Sequence, residues 1–446
     1  MSNRADVKLE TIVSLAKRRG FVFQTSEIYG GLSGFYDYGP YGSQLARNIK
    51  NEWWKAFVEK VPNIHGLDSA IIQNPNLWKA SGHVDGFNDP MVDCKECKSR
   101  LRADHVADVD SNNLEELNKL LSDKKCPVCG NSDWTDVRTF NMMFKTFVGP
   151  AEDSEAVAYL RPETAGGIFT NFKNYTETAR AKVPFGIAQI GKAFRNEISP
   201  RDFIFRLREL EQMEIEYFVD PEHAESELEN MRDICWDWLK YIGLTEDNLH
   251  WHQHTEDERA HYADDAWDIQ FKYPFGTKEL WGVANRTDYD LKHHAEGSGK
   301  DLTYFDQANN RKFVPFVIEP SVGVDRLFLA VLVNAYTEEE VDGEQRVVLK
   351  IDKKIAPVKY AVLPLVKNKP ELVAKAKEIY QQLVDADVGV VEYDESGTIG
   401  KRYRRQDEIG TPKCITVDFD TLEDDTVTIR DRDTMEQQRI NIDKIV

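Results

Sequence analysis

The sequence lacks any long apolar run, and it has no excess of positive charge. None of its 446 residues lies in a stretch approaching the roughly eighteen consecutive apolar residues that a membrane-spanning helix requires. The segment from Met1 to Glu10 carries four charged residues and no apolar run, which argues against a secretory signal there. We therefore expect a cytoplasmic protein that has no membrane partner.

The charge balance is acidic, with 57 Lys and Arg residues against 77 Asp and Glu residues and a formal net charge of -20. Such a chain does not coat nucleic acid by bulk electrostatic attraction, because its average field repels phosphate groups. Contact with RNA would depend on a local basic surface. One run offers such a surface, although runs of this kind are more often solvated faces. It contains Lys401, Arg402, Arg404 and Arg405.

Cysteine is scarce, with six residues in the chain, and four of them form two C-x-x-C pairs. In a cytoplasmic protein this pattern predicts a metal site rather than disulfides. The spacer between the pairs is longer than the common 15 to 20 or so residues, yet four thiolates suit a closed, structural Zn²⁺ site. The predicted ligands are Cys94, Cys97, Cys126 and Cys129. For His250, His252 and His254 we expect bonded or exposed side chains rather than a second metal site.

The length of the chain predicts two or three domains. We expect a large unit over residues 1–340, interrupted at 89–140 by a polar, cysteine-bearing insertion. A charged linker over 341–354 follows. Strand–helix alternation over 355–446 then predicts a small α/β domain with a largely parallel sheet.

Two features inside the large unit bear on its fold. Residues 184–197 and 203–220 have strand patterns and are joined by a short turn, which predicts an antiparallel hairpin. In the second strand, apolar residues alternate with Gln212, Glu214 and Glu216, so one face of the sheet carries carboxylates. A helix beginning at Pro40 has an apolar stripe that must be buried in the core or against a second subunit.

Three motifs place arginines and carboxylates beside predicted strand ends. They are Phe194-Arg195-Asn196-Glu197, Phe205-Arg206-Leu207-Arg208-Glu209 and the run from Glu319 to Arg326. In this order they resemble motifs 2 and 3 of the class II aminoacyl-tRNA synthetases. Further segments are similar to glycyl-tRNA synthetases in particular, namely Gly30 to Tyr41, Arg161 to Ala165 and Glu258 to Ala263. Gly400 to Tyr403 and Asp407 to Pro412 resemble the anticodon-binding domain of that family.

The resemblance implies an α+β catalytic domain, built on an antiparallel sheet flanked by helices, with a zinc-binding insertion and a C-terminal α/β anticodon-binding domain. It also implies a homodimeric glycine–tRNA ligase. Such an enzyme uses ATP and Mg²⁺ to form glycyl-adenylate and then transfers glycine to the 3′ end of tRNA(Gly). No covalent protein nucleophile is needed, because this chemistry depends on positioning and electrostatic stabilisation.

By the same resemblance, Arg195, Glu197 and Arg326 are the catalytic residues. A planar guanidinium suits Arg195 to the α-phosphate, and Arg326 stacks on adenine. Glu197 and Glu279 hold the adenine amino group or Mg²⁺, and Arg206 or Arg208 reaches the outer phosphates. The implied ATP-binding set is Arg195, Asn196, Glu197, Phe205, Arg206, Leu207, Arg208, Glu209, Leu210, Glu279, Leu280, Gly323, Val324, Asp325 and Arg326.

Glycine has no side chain to recognise. Its site can hold only the ammonium and carboxylate groups, and it must exclude larger amino acids by size. The resemblance places carboxylates and a serine around the ammonium group and an arginine, Arg102, at the substrate end. The implied glycine set is Arg102, Glu163, Glu211, Gln212, Glu214, Glu319, Ser321 and Gly323.

Two residues depart from the family pattern. Leu210 stands where a phenylalanine usually stacks on adenine, and Gly166 stands where glutamine is expected. These departures leave open an alternative, a catalytically silent relative that binds nucleic acid or a partner protein. A second alternative is a class II synthetase for proline, threonine or histidine. The retained Arg195, Glu197 and Arg326 favour an active enzyme.

Overall fold

The computed structural model describes residues 7–109, 111, 113–150, 152–260 and 262–445. Residues 1–6, from the segment considered for a signal, and His261 of the Glu258–Ala263 motif lie outside the described residues. Within the described ranges, no helix is both long and apolar enough to cross a membrane.

A seven-stranded sheet forms the centre of the large N-terminal unit. Its strand order is β12-β13-β14-β17-β11-β10-β3, and every pairing is antiparallel except that of β3 with β10. The strands are β3 (Ile64–Gly66), β10 (Phe185–Phe194), β11 (Glu209–Val219), β12 (Leu249–Gln253), β13 (Asp265–Tyr273), β14 (Gly276–Asn285) and β17 (Phe316–Gly323). The predicted hairpin is confirmed, with Phe194 paired to Glu209 at its open end.

Helices cover both faces of this sheet. One face packs on α1 (Leu9–Arg18), α2 (Pro40–Trp54), α8 (Ala224–Tyr241) and α10 (Val324–Ala335), and the other packs on α7 (Ala165–Thr178) and α9 (Tyr289–Ser298). Smaller elements complete the unit: β1 (Val22–Gln24), β2 (Tyr36–Tyr38), β4 (Ile72–Gln73), α3 (Pro75–Ala80), α4 (His83–Gly86), β8 (Lys145–Phe147), β9 (Val157–Leu160), β15 (Tyr304–Asp306) and β16 (Arg311–Phe313).

The apolar stripe of α2 lies in the core of its own chain. Leu45, Ile49 and Trp53 are fully buried, and Phe57, in the π-helical turn that continues α2, packs against Trp281 of the sheet with the ring centroids 5.8 Å apart. A helix buries such a stripe wherever a complementary apolar surface is offered. Here the sheet offers it, so this stripe gives no reason to require a second subunit.

The cysteine-bearing insertion folds around a small core of its own. Its elements are β5 (Asn88–Asp93), β6 (Arg100–Arg102), α5 (Ala103–Ala107), α6 (Leu114–Leu121) and β7 (Arg138–Asn141). Strand β5 is the centre of a three-stranded antiparallel sheet, and Val92, Leu117 and Leu121 are buried between this sheet and the two helices.

The segment expected as a linker is structured. It contains β19 (Glu344–Leu349), which pairs with β18 (Tyr336–Val341) in a hairpin. Asp342 and Gly343 both have positive φ, as the two central residues of a type I′ turn require. Arg346 of this hairpin is fully buried and donates to Asp407 of the C-terminal domain at 2.8 Å. The hairpin therefore packs against that domain instead of forming a free link.

The C-terminal domain has a five-stranded sheet of order β21-β20-β22-β23-β24. Its elements are β20 (Tyr360–Pro364), α11 (Pro370–Asp385), β21 (Val391–Tyr393), α12 (Ile399–Ile409), β22 (Lys413–Val417), α13 (Thr421–Asp424), β23 (Thr426–Asp431) and β24 (Gln437–Asn441). The expectation of a largely parallel sheet is wrong, because only β21, β20 and β22 are parallel. After β22 the chain turns back through short connections, which produce antiparallel neighbours.

Candidate active site

The hairpin β10–β11 and the junction of β17 with α10 bring the predicted motifs together. Strand β11 pairs with β17, so that Gln212 lies opposite Gly323 and Glu214 lies opposite Ser321. On one face of β11, Phe218 near the end of the strand is apolar. Nearer its start, where the motifs meet, the same face carries the buried polar side chains of Gln212, Glu214 and Glu216.

A first cavity, of about 140 Å³, opens at this junction. It is lined by residues of the hairpin, its connecting loop, β14 and the first turn of α10: Arg195, Glu197, Ile204, Phe205, Arg206, Leu207, Leu210, Gln212, Glu279, Ser321, Gly323, Asp325 and Arg326. Ion pairs hold two of its three arginines, Arg206 with Glu197 at 2.9 Å and Arg326 with Glu279 at 2.8 Å. The Arg326 guanidinium also lies over the Phe205 ring, 4.4 Å from its centroid.

A second cavity, of about 260 Å³, adjoins the first. Its wall includes Glu163, Glu214 and Glu319, and it shares with the first cavity Arg195, Gln212, Glu279 and Ser321. Arg195 thus stands at the boundary, with its Nε atom donating to the Pro162 carbonyl at 3.1 Å. A carboxylate group in the second cavity and a phosphate group in the first would both lie beside this guanidinium.

The carboxylate of Glu214 is 2% exposed and is held by four donors. One oxygen accepts from Ser321 Oγ at 2.6 Å and from Gln212 Nε2 at 2.7 Å. The other accepts from the backbone N–H and the hydroxyl group of Thr164. Because each oxygen of the carboxylate accepts two hydrogen bonds, its orientation toward the second cavity is fixed.

The two other carboxylates of this cavity have opposite pKa shifts. Burial opposes the ionisation of Glu163, but His83, Arg286 and Arg195 more than offset it and lower the pKa of Glu163 to about 2. Burial raises the pKa of Glu319 to about 7, an effect that Arg286 opposes and that Glu214 and Glu163 reinforce. The cavity therefore combines a fixed negative charge with a group that titrates near neutrality.

The comparisons with known proteins agree with this geometry. Residues 144–336 match the family model of the tRNA synthetase class II core domain (G, H, P, S and T), and residues 359–446 match that of the anticodon binding domain. A glycine–tRNA ligase of Caldanaerobacter subterraneus subsp. tengcongensis is 53% identical over 98% of this chain and 97% of that protein. For the glycine–tRNA ligase of Geobacillus kaustophilus, the identity is 52% over the same shares.

The chain belongs to the glycine–tRNA ligase family. The resemblance found in its motifs is thereby confirmed, as are a class II core and a C-terminal anticodon-binding domain. Among solved structures, Giardia lamblia prolyl-tRNA synthetase in complex with prolyl-adenylate matches with a TM-score of 0.68 and 16% identity. The match covers 98% of this chain and 76% of that one. At this identity the match shows a shared fold alone.

Several residues predicted for the two substrates of this family lie outside the cavities. Leu280 and Val324 are buried in the apolar core, because their side chains point to the opposite face of their elements. Glu211 points away and binds Lys50 at 2.8 Å. Arg208 donates to the backbone of Glu197 and Ser33 and so supports the loop. Asn196 and Glu209 also lie outside both cavities: the N–H of Asn196 donates to the Met142 carbonyl, and Glu209 forms an ion pair with Lys192. Gly323 borders the first cavity but not the second.

Arg102 lies in a different place from that implied by the family resemblance. It donates to Asp89 at 2.7 Å and to Asp104 at 2.6 Å, within the insertion. The open cavity that it borders also contains Arg206 and does not include the three glutamates. In this structure, Arg102 therefore lies on the same side of the site as Arg206 and apart from the three glutamates.

The most important residue that the sequence reasoning missed is Arg286. It is 3% exposed and forms buried ion pairs with Asp290 and Glu319, each at 2.8 Å. Its guanidinium lies 3.9 Å from the centroid of the Tyr262 ring. The available signal was a charged residue directly after the segment that forms β14. His254 and Asp268, 2.9 Å apart on the cavity wall, were also missed.

The four cysteines of the two C-x-x-C pairs come together in the insertion. Their sulfur atoms all lie within 4.8 Å of one another, and Cys94 is 3.6 Å from Cys129 while Cys97 is 3.7 Å from Cys126. Tetrahedral coordination with Zn–S bonds of about 2.3 Å places sulfur atoms roughly 3.8 Å apart. The donor set and its spacing therefore fit Zn²⁺.

The predicted RNA-contacting arginines of α12 divide into two groups. Arg402 is 1% exposed and donates to the carbonyl groups of Pro364 and Gly397, so its role is structural. The other basic residues border a cavity of about 560 Å³ between the two large units, which is lined by Arg19, Glu344, Thr398, Gly400, Lys401, Arg404 and Arg405.

Proposed function

We propose that this protein is an ATP-dependent enzyme that activates glycine as glycyl-adenylate and transfers the glycyl group to the 3′ end of tRNA(Gly). One observation carries the proposal. The arginine-lined cavity and the glutamate-lined cavity meet at Arg195, at the point where an amino-acid carboxylate must meet the α-phosphate. The family to which the chain belongs supports the same reaction.

On the nucleotide side, adenine lies between Leu210 and Arg326, which border the first cavity. The phosphates lie toward Arg195 and Arg206. During activation, an oxygen of the glycine carboxylate bonds to the α-phosphorus and the bond to pyrophosphate breaks, so negative charge grows on phosphate oxygens. Fixed guanidinium groups stabilise that charge without reorganising. The carboxylates of Glu197 and Glu279 suit Mg²⁺, which would neutralise phosphate charge when bound.

On the amino-acid side, the ammonium group of glycine lies among Glu163, Glu214 and Glu319. The carboxylate of Glu214 is held in place by its four donors, which leaves little freedom to accommodate a side chain at the α-carbon. Exclusion by size needs no separate editing domain, because glycine is the smallest amino acid.

Further features of the proposal rest on the family and the chemistry of the residues. The cysteine cluster holds a structural Zn²⁺ ion, and Lys401, Arg404 and Arg405, which border the cavity between the two large units, contact tRNA. The enzyme acts in the cytoplasm as a homodimer. Residues 1–340 form the catalytic domain with its insertion at 89–140, residues 341–354 connect the domains, and residues 355–446 bind the anticodon.

Charging of tRNA with labelled glycine tests the proposal. The wild-type protein is expected to make acid-precipitable glycyl-tRNA in the presence of ATP. The variant Arg404→Glu should lower kcat/KM for tRNA about tenfold or more while leaving glycine-dependent exchange of pyrophosphate into ATP unchanged. Lys377→Glu, a charge reversal on α11, serves as the control. A protein that binds tRNA but forms no glycyl-tRNA would support the silent relative instead.

A further inference from the structure

The carboxylate of Asp325 borders the ATP cavity, yet both of its oxygens already have donors from within the protein. Oδ1 accepts from the Tyr38 hydroxyl at 2.5 Å, and Oδ2 accepts from the backbone N–H of Glu211 at 2.9 Å. Asp325 is 4% exposed. Because both oxygens of this buried carboxylate accept hydrogen bonds within the protein, it links structural elements and is not a free ligand for the nucleotide.

The Asp325 carboxylate links α10 and β11, the two elements between which adenine lies in the proposed function. Asp325 directly precedes Arg326 in the first turn of α10, and Glu211 directly follows Leu210 in β11. Leu210 and Arg326 both border the cavity. The distance between Leu210 and Arg326 therefore depends on the orientation of the Asp325 carboxylate, which accepts hydrogen bonds from Tyr38 and Glu211 together.

Tyr38 comes to this position on a rigid segment. Its ring packs edge-on against Phe328 of α10, with the centroids 5.0 Å apart. The next residue, Gly39, donates its N–H to the Phe21 carbonyl at 2.9 Å, and a Cβ atom at Gly39 would lie 2.4 Å from the Gly20 carbonyl oxygen. Burial and Asp325 raise the pKa of Tyr38 well above its usual value, so the hydroxyl is a permanent donor at neutral pH.

We propose that Tyr38 is a positioning residue for ATP, acting through Asp325 to hold Arg326 and Leu210 at the separation that adenine requires. The inference rests on the proposed function of this cavity. Tyr38 itself touches no substrate in this account. Its hydroxyl fixes the carboxylate, and the carboxylate fixes the start of α10 relative to β11.

The matched pair Tyr38→Phe and Tyr41→Phe tests this proposal. Both variants lose one tyrosine hydroxyl that donates to a carboxylate, and the two residues lie three positions apart, but Tyr41 donates to Glu392 of the C-terminal domain. A hydrogen bond to a charged group stabilises the arrangement that it holds by enough that Tyr38→Phe, which releases the Asp325 carboxylate, should raise the Kd and KM for ATP about tenfold. The KM for glycine should stay within about twofold, and Tyr41→Phe should leave the KM for ATP within about twofold.

A double-mutant cycle with Asp325→Asn tests the route of the effect. If Tyr38 acts through Asp325, Tyr38→Phe should add little to the loss that Asp325→Asn causes by itself. Two results would overturn the proposal. In the first, the increases in Kd for ATP of the two single variants multiply in the double variant. In the second, Tyr38→Phe has the same Kd and KM for ATP as the wild type. Because Kd and KM do not depend on the fraction of active protein, partial misfolding does not obscure either result.

Direct ATP binding separates this inference from the proposed function. A wild-type protein that binds ATP but shows no glycine-dependent exchange would defeat the proposed function, and the Kd comparison would still decide the role of Tyr38. A wild-type protein that binds no ATP would overturn both.

Discussion

The guanidinium of Arg286 donates to the carboxylate of Glu319 across 2.8 Å in the buried wall of the second cavity. This arginine opposes the effect of burial on Glu319, so the carboxyl titrates near neutrality rather than remaining fully protonated. The consequence is that the negative charge of the proposed glycine site depends on pH.

The KM for glycine should therefore rise as the pH falls. With a pKa of about 7, Glu319 is mostly ionised at pH 8 and mostly protonated at pH 6, and only the ionised form attracts an ammonium group. We expect the KM for glycine in pyrophosphate exchange to be about tenfold higher at pH 6 than at pH 8. The pKa of Glu163, about 2, keeps that residue outside this range. The variant Glu319→Gln should bind glycine weakly at both values, and a wild-type KM that does not change with pH would contradict the assignment.

Glu216 should reduce the stability of the fold at high pH. It is fully buried, and neither carboxylate oxygen has a hydrogen-bond partner among the described residues. Burial, reinforced by Glu319, raises its pKa well above the usual value. The native state therefore keeps a proton that the unfolded state loses, and stability falls as the pH rises above about 4.5 toward the folded-state pKa.

The isosteric variant Glu216→Gln lacks this titration. Its free energy of unfolding should exceed that of the wild type at pH 8, and the difference should shrink toward pH 5. Denaturant unfolding at the two pH values measures this difference. A difference that is the same at both values would show that Glu216 does not hold a proton in the folded state.

Replacing Leu210 by phenylalanine should improve ATP binding. Leu210 borders the cavity that we propose to bind ATP, at the position where the family usually has a phenylalanine. An aromatic ring stacks on a purine more favourably than an alkyl group does, by about 1 kcal/mol. The KM for ATP should fall about fivefold, with the KM for glycine unchanged as the internal control. An unchanged or higher KM for ATP would mean that adenine does not lie against this side chain.

Much of this fold could be predicted from local patterns. The hairpin β10–β11 was evident from its alternation and turn. Strand β24, Gln437–Asn441, was missed because a polar edge strand has no apolar face to reveal it. Part of the β18–β19 hairpin was expected to be a charged linker. Its packing could not be predicted locally, because Arg346 is buried against Asp407, a residue far away in the sequence.

The candidate site was less predictable than the fold. Arg195 and Glu214 could be predicted to lie near each other, because Arg195 directly follows β10 and Glu214 lies on β11, the two strands of the predicted hairpin. Arg286 and Tyr38 could not, because each acts through a carboxylate far away in sequence, Glu319 and Asp325 respectively. For Arg102, the family resemblance implied a role, but the direction of its side chain depends on how the insertion packs, which the sequence does not reveal.

The cysteine cluster should hold one zinc ion per chain. Elemental analysis of the purified protein measures it, and Cys97→Ser should lower the zinc content and the melting temperature together, because a structural metal contributes directly to folding. Cys414→Ser, a buried cysteine outside the cluster, is the control and should retain zinc. Full zinc content in Cys97→Ser would exclude this residue as a ligand.

The most direct test of the central claim is exchange of labelled pyrophosphate into ATP, without tRNA, for each of the twenty amino acids. We expect exchange with glycine alone, because the glutamate-lined cavity is proposed to hold the ammonium group and to exclude side chains. Exchange with a different amino acid, or no exchange by folded protein supplied with Mg²⁺ and zinc, would contradict it.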